Sequence, residues 1–325
     1  MEHFYMKFFV LVIAIAFLQA ACKDEDSPVQ QEITGSWEQC PLSFFQGGGS
    51  AERYFATTAV HGDTIIYGLG SASVINDLFN RDVWYYTENG WGKYGDFPSY
   101  KRLNALCFTI GNKMYLGLGN DPKEQDKGLT DIWEYRRAER TWDSLSCEFP
   151  GNGRNGAVSF VLDDRLYYGL GEAGEFYSDM YIFEPLKGWT SFYTERQAYT
   201  TVFKLNGKVY SGFGKNAEGY LSTLRKFDPD TKQWQVVYQF DKNQNRVNAF
   251  AFVTKEKTGD CVYFIGGKPE STGEDFWWCC RYHFATGILE KVEVPAFDSV
   301  IAVNSVHNEG LVFDGEYVWK LMIEE

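Results

Sequence analysis

Five arginines, Arg53, Arg102, Arg154, Arg196 and Arg246, stand 42 to 52 residues apart, and each is followed by an apolar run that ends in a glycine pair. A guanidinium group stays charged at any physiological pH and grips a carboxylate through two parallel hydrogen bonds, so five of them brought together would hold an anion. Asn104, Asn155 and Asn248 lie within two residues of three of these arginines and add amide groups suited to sugar hydroxyls or a peptide backbone. Against 44 acidic and 31 basic residues overall, such a ring would gather positive potential at one place. The competing structural reading pairs the arginines with Asp82, Asp131 and Asp179, which recur at matching positions.

Other chemistry is sparsely represented. There is no Gly-rich phosphate loop followed by a helix, no HExxH pair and no G-x-S-x-G elbow, and no cofactor is expected. Beyond the leader the histidines are His61, His283 and His307, in turns and a strand that do not converge, so no metal site is expected. Glu172, Glu175 and Glu195 are candidates for acid or base work by position alone. The net charge of −13 argues against a nucleic-acid partner, which needs a broad basic surface. Cys40, Cys107, Cys147, Cys261, Cys279 and Cys280 are too few for a disulfide scaffold, and adjacent Cys279 and Cys280 should face opposite sides of a strand.

The elements that position the arginines follow from the repeat. Fifteen residues separate arginine from first glycine in the first three copies, sixteen in the fourth and twenty in the fifth, where 255–260 lengthens a turn. A small residue, Ala56, Ala105, Ala157 or Ala249, follows three positions on, with Tyr199 in the fourth copy. Strands such as Asp82-Val83-Trp84-Tyr85-Tyr86 come after the glycines, then a turn and Trp91, Trp142, Trp189 or Trp234. A period of this size with four short strands per unit predicts a propeller blade. Five complete units, plus a C-terminal unit that lacks its outer strand and borrows one around Trp37, make six blades. The expectation is an all-β, six-bladed β-propeller over residues 33–325, its last blade closed by an N-terminal strand and its sixth arginine position filled by Ser299.

Glycine pairs ending the second strand, a nearby tyrosine and a tryptophan in the fourth strand resemble the Kelch-repeat family. That resemblance implies four-stranded Kelch-type blades. Some Kelch-like propellers carry a copper-radical site, as in galactose oxidase, but the histidines here do not fit one. A six-bladed Kelch propeller with arginines at its axis also resembles the bacterial sialic acid mutarotases, whose substrate is a carboxylated sugar.

Residues 1–21 read as a signal peptide: an eleven-residue apolar run follows Lys7, too short to span a bilayer comfortably, with Met6 the cleaner start. Gln19-Ala20-Ala21-Cys22 resembles a bacterial lipobox, which implies a lipidated Cys22 and a tether over 22–32. The whole reads as a monomeric outer-membrane lipoprotein, periplasmic or surface-exposed, anchored to the membrane through Cys22. Its propeller is expected to bind an acidic glycan or an acidic peptide without catalysis. The alternative is an enzyme, a mutarotase or epimerase of a carboxylated sugar such as sialic acid.

Overall fold

The computed structural model describes residues 36–39, 53–73, 77–123, 128–271, 277–295, 297, 300, 302–306, 308–314 and 317–322. The leader, Cys22, Cys40, Ser299 and His307 lie outside the described residues. The regular structure of the described residues is almost wholly strand, with one short 3-10 turn at Lys242–Gln244. Blade 1 runs through Thr57–His61, Thr64–Gly68, Asp82–Thr87 and Gly90–Asp96, each strand antiparallel to the next. Blade 2 uses Leu106–Ile110, Lys113–Gly117, Ile132–Arg136 and Thr141–Ser144, and blade 3 Val158–Leu162, Arg165–Gly169, Asp179–Glu184 and Gly188–Tyr193. Blade 4 comprises Thr201–Leu205, Lys208–Gly212, Thr223–Asp228 and Gln233–Gln239, and blade 5 Phe250–Glu256, Gly259–Ile265, Cys279–His283 and Leu289–Lys291.

Blade 6 takes Ala302–Val306, Glu309–Phe313 and Val318–Met322 from the C-terminal side and Ser36–Gln39 from the N-terminal side. Trp37 stands opposite Leu321, so the expected closing strand is present. The first strand of every blade packs on that of the next, and the sixth returns to the first, which closes the ring. Six apolar clusters, one at each blade junction, make the core. Phe108 stacks on Tyr115, Phe160 on Tyr167, Phe203 on Tyr210 and Phe252 on Tyr263 at 4.7 to 5.4 Å. That repeated pair between first and second strands gives four of the blades the same aromatic contact.

Two register expectations are corrected. The extra residues of the fifth copy do not lengthen a turn. They extend both strands of the hairpin to seven residues, with Glu256 opposite Gly259 across a two-residue turn. In the fourth copy Arg196 does not occupy the arginine position: Gln197 does, buried, while Arg196 is exposed. Counted from Gln197 the spacing to Gly212 is again fifteen, and the small residue three positions on becomes Thr200, not Tyr199.

Those small residues answer to glycine. A Cβ on Gly70, Gly119, Gly171, Gly214 or Gly267 would lie within 2.5 to 3.1 Å of backbone at Ala56, Ala105, Ala157, Thr200 or Ala249 or just before it. Cys279 and Cys280 do face opposite sides of their strand, but neither points to solvent. Cys280 enters the junction of blades 4 and 5, and Cys279 that of blades 5 and 6.

Candidate functional site

Each arginine sits just before the innermost strand of its blade, at the end where the second strand stops in glycine. Arg102 shows how its group is used: both terminal nitrogens meet the Asp131 carboxylate at 2.9 Å, and the rest of the donors reach Leu118 O, Ser99 Oγ and Tyr100 O. Arg53 grips Asp82 at 2.7 and 2.8 Å, and Arg154 grips Asp179 at 2.9 and 3.0 Å. In blade 5 Trp278 replaces the aspartate, and Arg246 donates to the carbonyls of Gly266, Trp277 and Gln244 and to the Gln244 side chain. All four side chains are buried. They are latches between the second and third strands, and Arg102 and Arg246 have no donor left for an outside anion.

Burial pulls the carboxyls of Asp82, Asp131 and Asp179 upward. The hydrogen bonds and charge of the arginines outweigh it, and all three end below the ordinary aspartate value.

Two residues past each latch position the chain takes left-handed backbone: Phe55, Asn104, Gly156, Tyr199 and Asn248 have φ of 58°, 52°, 60°, 57° and 56°. The Asn104 N–H donates to Phe55 O, that of Tyr199 to Gly156 O and that of Asn248 to Tyr199 O, at 2.9 to 3.0 Å. These bonds join neighbouring blades at one end of the central axis. Asparagine and glycine tolerate this conformation, whereas for the bulky Phe55 and Tyr199 it is strained. Of the predicted amides, Asn104 and Asn248 stand exposed on this end and Asn155 is half-buried, its N–H on Glu172 O.

The position after the second glycine varies from blade to blade: Ser71, Asn120, Glu172, Lys215 and Lys268. Each pairs with the residue just after the latch position of its own blade. Glu172 of blade 3 and Lys215 of blade 4 thereby meet, Nζ 3.0 Å from Oε1, and both side chains remain partly open at 25 and 31% exposure. The Tyr199 hydroxyl donates to the same carboxylate oxygen at 2.8 Å, and Lys215 lies 4.8 Å from the Tyr199 ring and 5.5 Å from that of Phe176.

Gly156 makes room for this cluster, since a Cβ there would come within 2.5 Å of the Tyr199 ring. Burial, then the bond to Glu172, pushes the Tyr199 phenol far above its usual range, so it stays a proton-bearing donor. Arg196 stands one residue from Gln197, whose carbonyl receives the N–H of Gly171 beside Glu172. It is exposed and makes no hydrogen bond or ion pair among the described residues.

A carboxylate, an ammonium and a phenol within hydrogen-bond reach can take and return protons on a molecule resting over them. Of the other acids, Glu195 is held by Arg225 at 2.9 Å and Glu175 is exposed on a turn. His283 is buried between Glu290, 2.9 Å from Nε2, and Cys261, 3.2 Å from Nδ1. Among the described residues no three His, Cys, Asp or Glu side chains are placed to hold a metal ion.

No protein-family profile matches the chain. It is 24% identical over 208 residues to an N-acetylneuraminate epimerase of Yersinia enterocolitica serotype O:8 / biotype 1B (strain NCTC 13174 / 8081), covering 60% of this chain and 50% of that protein. It is 25% identical over 183 residues to an N-acetylneuraminate epimerase of Haemophilus influenzae (strain 86-028NP), covering 55 and 45%. A third, from Pasteurella multocida (strain Pm70), is 24% identical over 127 residues, covering 38 and 32%. The chain thus spans half or less of the length of these relatives. The solved structure of YjhT superposes with a TM-score of 0.64 over 86% of this chain and 94% of that one, at 16% identity, a likeness of fold.

Proposed function

We propose that the protein interconverts the anomers of a carboxylated sugar, and that Glu172, Lys215 and Tyr199 carry the reaction. The observation behind this is the half-open cluster itself: a carboxylate with an ammonium at 3.0 Å and a phenol at 2.8 Å, at the axis end of a six-bladed ring. The distant likeness to N-acetylneuraminate epimerases supports the same reading. The Glu172 carboxylate takes the proton of the anomeric hydroxyl, and the bond from anomeric carbon to ring oxygen breaks as its electron pair passes to that oxygen. The Lys215 ammonium supplies the ring oxygen with a proton. Rotation of the freed carbonyl and closure by the reverse transfers give the other anomer, with no net consumption of protons. Tyr199 holds the carboxylate in place, and Arg196 is the guanidinium that meets the substrate carboxylate.

The leader ending at Cys22 supports placing this activity in the cell envelope, at the outer membrane. The test is proton NMR of freshly dissolved N-acetylneuraminic and galacturonic acids, following the approach to anomeric equilibrium. Acceleration over buffer is expected, lowered about 100-fold in Glu172→Gln, the size of effect typical of one acid–base group. A wild-type rate equal to that of buffer would sink the catalytic reading. Saturable binding without acceleration would favour a purely binding propeller for acidic glycans.

A further inference from the structure

At the other end of the blades, away from the latches, a half-open cavity of about 320 Å³ lies between blades 1 and 2. It lies at the start of the second strand of blade 1, at Thr64, and at the far ends of both third strands, at Thr87 and Tyr135. Three tyrosines line it in series: Tyr85 and Tyr94 have ring centres 4.8 Å apart, and Tyr94 and Tyr135 4.9 Å. Gly92 is required beneath them, because a Cβ there would overlap the Tyr85 ring. Thr64 and Thr87 join the same lining, the Thr87 hydroxyl bonded to Gly90 O and to the Asn89 N–H of its own turn.

The cations of the lining are Lys93, on the fourth strand of blade 1, and Arg137 and Arg140, on the turn after the third strand of blade 2. Their neighbour Arg136 is bonded to Glu134 and Asp143 at 2.9 Å, and Lys93 to Asp96 at 2.8 Å. Arg137 and Arg140 make no hydrogen bond or ion pair among the described residues. The acid nearest in sequence is the exposed Glu139 between them. Two unpaired guanidinium groups on one short turn are unusual on a chain of net charge −13. Their field reaches the surroundings: the His61 imidazole is lowered first by burial and next by the charge of Arg137.

We propose that this cavity is a second binding site, for an anionic saccharide, distinct from the Glu172 cluster and without catalytic groups of its own. The chemistry matches on each side. Tyrosine faces receive the C–H face of a pyranose, tyrosine hydroxyls meet its hydroxyls, and the two arginines take its carboxylate. In a cell-envelope protein such a site would hold an acidic polysaccharide on one end of the ring while single sugars react at the other.

The test uses trigalacturonate as probe and neutral maltotriose as control, with binding read by ligand-observed NMR and calorimetry on the full propeller. Arg137 and Arg140 are exposed, so the double variant Arg137→Ala/Arg140→Ala should keep its fold, which circular dichroism checks. Wild type should bind trigalacturonate and not maltotriose. The double variant should bind it at least tenfold more weakly and keep its mutarotation rate, while Glu172→Gln should bind as wild type does. Equal binding by wild type and the double variant, equal binding of the two probes, or no binding of trigalacturonate by wild type would each overturn the proposal.

Discussion

Asp131 neutralises a guanidinium that is otherwise wholly inside the protein. Replacing it with alanine leaves Arg102 buried and charged without its counterion, and the loss expected is about 3 kcal/mol, the lower end of the range for breaking a buried pair, since Asp131 is itself partly open. Urea denaturation of Asp131→Ala measures it. The three latch aspartates also tie stability to pH. Because their folded values are depressed, their contribution is complete above the unfolded aspartate value of about 4 and is lost as pH falls through the folded values. Melting temperature should therefore hold between about pH 7 and 5 and drop below about pH 4. Asp179→Asn should show a shallower acid slope, and a slope identical to wild type would remove this account.

In blades 1 to 3 the unit of construction is the latch, which joins an arginine, a glycine pair and the aspartate that opens the third strand. Its second glycine is obligatory. At Gly119, with φ of 84°, a Cβ would lie 2.5 Å from Leu103 O and 2.8 Å from Ala105 N. Gly119→Ala should cost about 2 to 4 kcal/mol through strain and displaced backbone, and a thermal shift below a degree would contradict it.

Much of this unit was legible in the sequence, because glycine, arginine and aspartate recur for local geometric reasons. The blade 4 register was not, since Gln197 fills the buried slot and leaves the neighbouring Arg196 as a decoy. The Glu172 cluster was legible only as a position. It arises between blades, and pairwise contact across a junction leaves no periodic mark. The signal available was variation, Ser71, Asn120, Glu172, Lys215, Lys268, directly after a glycine that the repeat keeps constant.

The ring as a whole depends on its seam. Trp37 packs edge-on against Phe297 with ring centres 5.7 Å apart, and its indole N–H reaches Glu293 O at 3.1 Å. Trp37→Ala removes that anchor from blade 6 and should cost about 2 kcal/mol, less than a fully buried tryptophan, while leaving secondary structure unchanged in the folded state. Chemical denaturation monitored by circular dichroism checks this, and unchanged stability would mean that backbone pairing alone holds the seam.

The same seam sets a clock. Ser36 pairs with Met322, so the first of the described strands to be made is the last to find its place. Five blades can complete themselves from contiguous sequence, but the sixth must wait until Val318–Met322 has been made and, where the chain is exported, translocated. During that interval the strand around Trp37 has no partner of its own, and long-range pairing of this kind is slow. Refolding should accordingly show an early phase insensitive to Trp37 and a late one in which its fluorescence changes as the circle shuts.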